Sequence, residues 1–132
     1  VKEVEGPLPK TQMDWEIYPE GLHHFITWAD REYTKGLPIM ITENGMASND
    51  KVSNEEVSDA DRIEYLDQHL QQVKRAVTDG APVKAYMIWS LMDNFEWSLG
   101  YGKRFGLVHV DFDTLERTPK SSWHAIQKSM AL

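Results

Sequence analysis

Two short segments contain the residues with the clearest potential for chemistry. The segment "ITENG", residues 41–45, places Glu43 directly after an apolar run, and "WSLMDNFEW", residues 89–97, combines aromatic side chains with Asp93 and Glu96. Carboxylates are costly to bury unless they are paired or hydrogen-bonded. Flat apolar rings beside carboxylates suit a sugar, because its C–H faces can stack on the rings while its hydroxyls donate hydrogen bonds to the acids.

Both segments also have a purely structural interpretation. A glutamate that follows a strand is often only solvated, and Trp89, Phe95 or Trp97 taken singly fits an apolar core. For Glu43, the apolar run continues almost to the residue, and the nearby Gly45 allows the chain to turn away sharply. These features favour a carboxylate at the mouth of a packed sheet without deciding its role.

The elements that must position these residues alternate along the chain. Continuous apolar runs over residues 37–42 and 82–91 predict two strands buried on both faces, as in a parallel sheet. A third extended run spans residues 105–113. Spacings of three and four predict helices over residues 19–36, 59–80 and 119–130. We expect Ser58 or Asp59 to cap the second helix, Thr118 to open the third, and Gly36 and Gly80 to follow the first two.

This alternation predicts an α/β fold with a parallel sheet. An open doubly wound sheet and a barrel both satisfy it, and in either one the functional residues follow the carboxyl ends of the strands. Two or three strands leave sheet edges and apolar faces uncovered. We therefore expect the chain to need more protein around it.

Composition narrows the function classes. The 132 residues carry a formal charge of −7 and include no cysteine, which disfavours nucleic-acid or anionic-membrane partners and excludes thiolate chemistry. The sequence has no apolar stretch long enough to span a bilayer, and we expect a cytoplasmic protein. The chain begins with Val1, and residues 1–14 have the composition of an exposed loop. These features predict a fragment or a processed product.

Several motifs together resemble the C-terminal part of a glycoside hydrolase family 1 β-glucosidase. They are "WEIYPEGL", "ITENG", "WSLMDNFEWSLGYGKRFGLVHVDF" and "RTPKSSW", and the similarity extends from about Thr11 to the C-terminus. The resemblance implies a (β/α)8 TIM barrel of which this chain supplies about the last two strands and last three helices. Residues 1–132 would then be the C-terminal fragment of a single barrel domain, with a loop at 1–14 and βα units at 15–132.

The resemblance also implies roles for individual residues. Glu43 matches the catalytic nucleophile, Trp89 matches a tryptophan beneath the sugar ring, and Phe105 matches an aromatic residue flanking the site. Glu96 and Trp97 match residues that hydrogen-bond sugar hydroxyls, in the version used for unphosphorylated sugars. No metal or organic cofactor is required. Asp14 stands where the family usually has glycine.

The family's acid/base glutamate, in an Asn-Glu-Pro motif, is absent from these residues, as are several sugar-binding groups. The implied function is a retaining β-glycosidase that hydrolyses terminal unphosphorylated β-D-glycosyl residues and is active only together with the N-terminal part of the barrel. We expect the chain alone to be inactive and interpret Val1 as following a break in a long loop. The alternatives are a non-catalytic carbohydrate-binding piece and a self-associating barrel fragment.

Overall fold

The computed structural model describes residues 6–53 and 56–130. Within these residues the first half contains helix α1 (Pro19–Ala29), a π-helical turn (Asp30–Thr34), and strands β1 (Ile39–Asn44), β2 (Lys51–Ser53) and β3 (Glu56–Ser58). The second half contains helix α2 (Ala60–Thr78), strand β4 (Val83–Ile88), a 3-10 turn (Trp97–Leu99), strands β5 (Val108–Val110) and β6 (Arg117–Pro119), and helix α3 (Ser121–Met130). Residues 1–5 of the predicted N-terminal loop lie outside the described residues.

Strands β1 and β4 form the parallel pair that the apolar runs predict. Ile39 lies opposite Val83 and Asn44 opposite Ile88, so both strands end at the same edge. Helix α2 connects them, which is the βαβ arrangement of a parallel sheet. Side chains of helices α1 and α2 and of strands β1 and β4 form one core cluster. Its buried members are Ile26, Val73, Ala76 and Ala81, and Leu22, Ile39, Ile41, Val83 and Tyr86 pack against them.

The prediction that both strands are buried on both faces is wrong for this chain. Along β1, partly buried residues alternate with exposed ones, and Met40 and Met87 are among the exposed large side chains. The helices cover one face of the two-stranded sheet, and nothing among residues 6–53 and 56–130 covers the other. The apolar composition of these strands therefore exceeds what the described residues bury.

Helix α2 follows the predicted boundaries closely. It begins after Asp59 and ends before Gly80, whose φ of 103° lies in the left-handed region that glycine tolerates. The Asp59 side chain makes no capping hydrogen bond to the helix. Its carboxylate instead accepts hydrogen bonds from Arg62 and Ser122, so the predicted cap residue has a different task.

Two short antiparallel pairs complete the fold. Strands β2 and β3 pair with each other, and the sequence patterns predict neither of them, because each is three residues long and largely exposed. Strand β5 pairs with β6, so the third extended run belongs to a hairpin and is strand only at its centre. Helix α3 begins at Ser121 rather than near Thr118, since Thr118 and Pro119 lie in β6.

A second core cluster lies between α2 and α3. Its buried members are Met46, Tyr65, Leu66 and Leu107. Trp123 and Ile126 of α3 pack against them, so this cluster fixes the loops that follow β1 and β4 against the two helices. In the part of the chain that the structure describes, no helix has both the length and the apolar composition needed to cross a membrane.

Candidate active site

An open cleft lies at the carboxyl ends of β1 and β4, with a volume of about 460 Å³. Glu43, Trp89, Glu96, Trp97 and Phe105 all line it, so the residues singled out by the sequence lie together although they come from separate segments. The remaining lining residues are Trp15, Asn44, Gly45 and Tyr65. Aromatic rings and two carboxylates therefore dominate the walls of one concave surface.

The "ITENG" segment places Glu43 at the end of β1 with its side chain exposed to the cleft. The next residue joins the two strands, because the Trp89 amide donates to the Asn44 carbonyl at 2.9 Å. A Cβ atom on Gly45 would lie 1.7 Å from the Trp89 carbonyl oxygen. Glycine is thus required for the close approach of the two strand ends, which is a different reason from the turn that the sequence predicts.

Two tyrosines orient the Asn44 side chain beside Glu43. The Tyr86 hydroxyl donates to the Asn44 amide oxygen at 2.6 Å, and the Asn44 amide nitrogen donates to the Tyr65 hydroxyl at 3.4 Å. Burial raises the pKa of both phenols above the ordinary value. Both tyrosines therefore stay neutral at physiological pH and act as hydrogen-bonding groups whose protonation state does not change.

The loop after β4 carries Trp89, Glu96 and Trp97. Trp89 is 37% exposed and Trp97 is 82% exposed, and both line the cleft. The Glu96 amide donates to the Gly100 carbonyl at 2.7 Å in a tight local turn. Trp97 has a φ of 42°, which is an uncommon conformation for a bulky residue and one that concentrates at functional sites.

Phe105 and Trp15 form a further aromatic part of the cleft. Phe105 is only 3% exposed and forms a floor, with its ring centroid 6.2 Å from that of Trp15. The Thr11 amide donates to the Trp15 carbonyl at 2.9 Å, which closes the turn that presents Trp15. Asp14 lies in this turn with a φ of 60°. That left-handed conformation favours glycine and is tolerated by aspartate, so the aspartate is compatible with the loop path.

Trp15, Asn44, Gly45 and Tyr65 were not predicted to belong to the site. Asn44 and Gly45 adjoin Glu43 in the motif, and Trp15 belongs to the quoted "WEIYPEGL" segment, so the signal for these three was present in the sequence. Tyr65 follows the apolar spacing of α2. Nothing in the pattern separates it from a core residue.

Asp93, by contrast, does not face the cleft. Its side chain is 0% exposed and pairs with Lys120 at 2.8 Å and Arg104 at 2.6 Å. Burial by itself would raise the pKa of Asp93, but hydrogen bonds and charge from these two cations hold the pKa below its ordinary value. The two acids of "WSLMDNFEW" thus have separate environments, and only Glu96 is available to a ligand in the cleft.

Among residues 6–53 and 56–130, no group of three or more histidine and carboxylate side chains is arranged to hold a metal ion.

The family model for glycosyl hydrolase family 1 matches residues 1–130. The chain belongs to glycosyl hydrolase family 1.

Curated glycosidases are similar over most of this chain. Beta-glucosidase A of Acetivibrio thermocellus is 54% identical over 114 residues, which is 86% of this chain and 25% of that protein. A 6-phospho-beta-galactosidase of Streptococcus mutans is 48% identical over 127 residues, which is 96% of this chain and 27% of that protein. The chain therefore spans only about a quarter of the length of these relatives.

The similarity extends to the fold. The family 1 β-glucosidase of Thermotoga maritima, solved in complex with isofagomine lactam, superimposes with a TM-score of 0.94 and 45% identity. The match covers 97% of this chain and 29% of that one. Structures of the same enzyme with deoxynojirimycin and with cyclophellitol match equally well. The structural neighbours are TIM barrels, and this chain corresponds to a short part of them.

Proposed function

We propose that this chain is the C-terminal portion of a retaining β-glycosidase, contributing about the last two strands and last three helices of a (β/α)8 barrel. Its substrate is a terminal unphosphorylated β-D-glycosyl residue, as in a β-glucoside. Glu43 is the nucleophile. The acid/base residue comes from the N-terminal part of the same barrel, so that the chain alone is inactive.

One observation carries the proposal: Glu43 shares a single cleft with Trp89, Glu96, Trp97 and Phe105 at the carboxyl ends of the parallel strands. Functional residues of barrel enzymes lie at this end of the strands. The cleft combines stacking surfaces with a second carboxylate, which is the combination that a sugar requires. Membership in family 1 supports hydrolysis of a β-glycosidic bond.

In a retaining mechanism, the Glu43 carboxylate attacks the anomeric carbon and displaces the aglycone, which forms a covalent glycosyl-enzyme. A second carboxyl group, about 5 to 5.5 Å from the nucleophile, protonates the leaving oxygen and then deprotonates the attacking water. Glu96 and Trp97 bind sugar hydroxyls, Trp89 supports the ring from below, and Phe105 flanks it. No metal or organic cofactor takes part.

The exposed face of the β1–β4 sheet supports the need for the rest of the barrel. Met40 and Met87 are exposed on these strands, and strand edges with free backbone groups tend to acquire partners. In the proposal, the N-terminal part of the barrel supplies both the neighbouring strands and the second catalytic carboxyl group. A compact, active complex of the two parts would distinguish this partner from self-association of the chain.

The sugar's phosphorylation state needs a test of its own, because a β-glucosidase and a 6-phospho-beta-galactosidase are about equally similar to this chain. The Glu96–Trp97 pair favours a sugar with a free hydroxyl, since a carboxylate at this position would repel a phosphate. Comparing an aryl β-glucoside with its 6-phosphate measures this directly. Preference for the phosphorylated substrate would refute this part of the proposal.

The nucleophile is tested by Glu43→Gln in the full-length polypeptide that contains this sequence, assayed with an aryl β-glucoside. Glutamine keeps the size of the side chain but is a poor nucleophile, so we expect kcat to fall by about 10³-fold or more. The matched control is Glu64→Gln, an exposed residue of α2, which should leave kcat unchanged. Undiminished turnover in Glu43→Gln would contradict the assignment, and sugar binding without turnover in the wild type would favour a carbohydrate-binding protein.

A further inference from the structure

A buried cluster of six charged side chains lies behind the cleft and is not used in the proposed chemistry. It consists of the cations Arg62, Lys120 and Arg104 and the carboxylates of Asp50, Asp59 and Asp93. Formal charges balance within it. Arg62 and Lys120 are almost completely buried, and long cations rarely are unless they are paired.

The members of this cluster come from four segments of the chain: the loop after β1, the start of α2, the loop after β4 and the residue before α3. Arg62 donates to both oxygens of Asp50, at 3.0 and 3.2 Å, and to the backbone oxygen of Arg104 at 2.7 Å. Lys120 contacts Asp50 and lies 2.8 Å from Asp93. The loops after β1 and β4 are thereby joined to α2 and to the start of α3.

Asp93 closes the base of the loop that carries the sugar-facing residues. Its Oδ2 accepts from Arg104 at 2.6 Å, and its Oδ1 accepts from the Gly106 amide at 2.9 Å. A Cβ on Gly106 would lie 2.1 Å from the Asp93 backbone nitrogen, so the two ends of the loop touch. The loop between them, residues 94–104, contains Glu96 and Trp97, and Phe105 follows directly.

The loop itself has little burial to hold its shape. Phe95, Trp97, Leu99 and Tyr101 are all exposed, although the Phe95 and Tyr101 rings contact each other with their centroids 5.4 Å apart. Segments with few buried contacts open locally at low free-energy cost. Beyond the base, the Lys103 ammonium donates to the Gln12 carbonyl at 2.6 Å, and the Tyr101 ring centroid lies 4.2 Å from that of Phe112. Neither contact involves Glu96 or Trp97, so the position of these two residues depends in large part on how firmly the base is fixed.

We propose that Lys120 is a positioning residue, which holds the Asp93–Arg104 base of loop 94–104 so that Glu96 and Trp97 meet the sugar. Lys120 does not line the cleft. It acts through Asp93, to which it supplies a buried charge that no solvent can replace. The inference deepens the proposed function and rests on it for its kinetic test, but not for its structural test.

The experiment compares Lys120→Met with Val73→Ala in the full-length polypeptide. Methionine keeps the length of the side chain and removes its charge, whereas Val73 belongs to the separate core that α1 and α2 form with the sheet. The kinetic readouts are kcat and KM for an aryl β-glucoside and Ki for deoxynojirimycin. The structural readout is the rate of chymotrypsin cleavage within residues 94–104, which offer Phe95, Trp97 and Tyr101 as sites.

A displaced loop weakens sugar binding, so we expect Lys120→Met to raise KM and Ki by about five-fold or more and to accelerate cleavage in the loop by about ten-fold. Val73→Ala should leave these three quantities within about two-fold of the wild type. A purely structural role would reduce only the folded fraction. In that case kcat would fall while KM, Ki and loop cleavage stay unchanged, and the proposal would be overturned.

If Lys120→Met does not fold, Asp93→Asn provides the second variant, because it removes the charge through which Lys120 acts on the loop base and leaves Lys120 its second partner, Asp50. Unchanged KM, Ki and cleavage in Asp93→Asn would overturn the proposal equally. Failure of the proposed function has a different signature, since the wild type would then not hydrolyse the glucoside. The cleavage rates would still decide whether the cluster holds the loop.

Discussion

Asp93 and Glu96 lie three residues apart in one segment and have opposite environments. Asp93 is closed off from solvent and shares Lys120 and Arg104 as partners, whereas Glu96 lines the open cleft beside Trp97. The buried cluster consists of paired charges, whereas the rim of the cleft consists of exposed aromatic rings. The contrast shows that a carboxylate's role is set by the cations that reach it, because burial without them is costly.

The largest expected difference between the two regions is in stability. Arg62→Met leaves Asp59 and Asp50 buried with fewer partners, and breaking a buried pair in this way costs about 3–5 kcal/mol. Trp97→Ala on the rim should change stability by no more than about 0.5 kcal/mol, since the ring is 82% exposed. Urea unfolding of the full-length polypeptide measures both. Equal effects would remove the distinction between the regions.

A smaller effect is expected from paired glycine substitutions. Gly45→Ala places a Cβ against the Trp89 carbonyl oxygen and must separate the strand ends, at a cost of about 1–3 kcal/mol. A Cβ on Gly102 in the rim loop would lie 3.6 Å from the Leu99 carbonyl oxygen, which is an ordinary contact. Thermal midpoints of Gly45→Ala and Gly102→Ala test this. A Gly45→Ala midpoint equal to that of Gly102→Ala would show that the close approach is not needed.

The smallest effect concerns acid stability. Because the pKa of Asp93 is lowered in the folded state, its contribution to stability is fully present above the unfolded value of about 3.9 and is lost as the pH falls through the folded value. Asp93→Asn removes this dependence, so its stability should fall less steeply than that of the wild type below about pH 4. Trp97→Ala is the rim control and should follow the wild-type profile. Parallel profiles for all three proteins would contradict the pairing of Asp93.

Much of the framework follows from the sequence. The apolar runs predict β1 and β4, and the three-and-four spacing predicts α2 nearly to its ends. The spacing in α2 reflects a helix face that is buried in this structure. The runs in β1 and β4 reflect strands whose apolar side chains are only partly covered by the described residues. The motifs, through their resemblance to family 1, also predict that Glu43, Trp89 and Glu96 belong to one site. Their roles stay predictions until they are tested chemically.

Other features depend on contacts that a local pattern does not contain. The cationic partners of Asp93 are Arg104 and Lys120, which lie 11 and 27 positions away, so nothing within "WSLMDNFEW" separates the buried acid from the exposed one. The β2–β3 pair is missed because its strands are three residues long and largely exposed. Helix α3 starts later than predicted, since pairing with β5 draws Thr118 and Pro119 into a strand.

If Glu43 is the nucleophile, it becomes covalently attached to the sugar during turnover. Incubating the full-length polypeptide with an activated 2-deoxy-2-fluoro-β-glucoside slows breakdown of the glycosyl-enzyme, and peptide mass spectrometry then locates the bound sugar. We expect one sugar per polypeptide, attached as an ester to Glu43. Attachment to Glu96 or to a residue outside this sequence, in an enzyme that turns over the substrate, would contradict it.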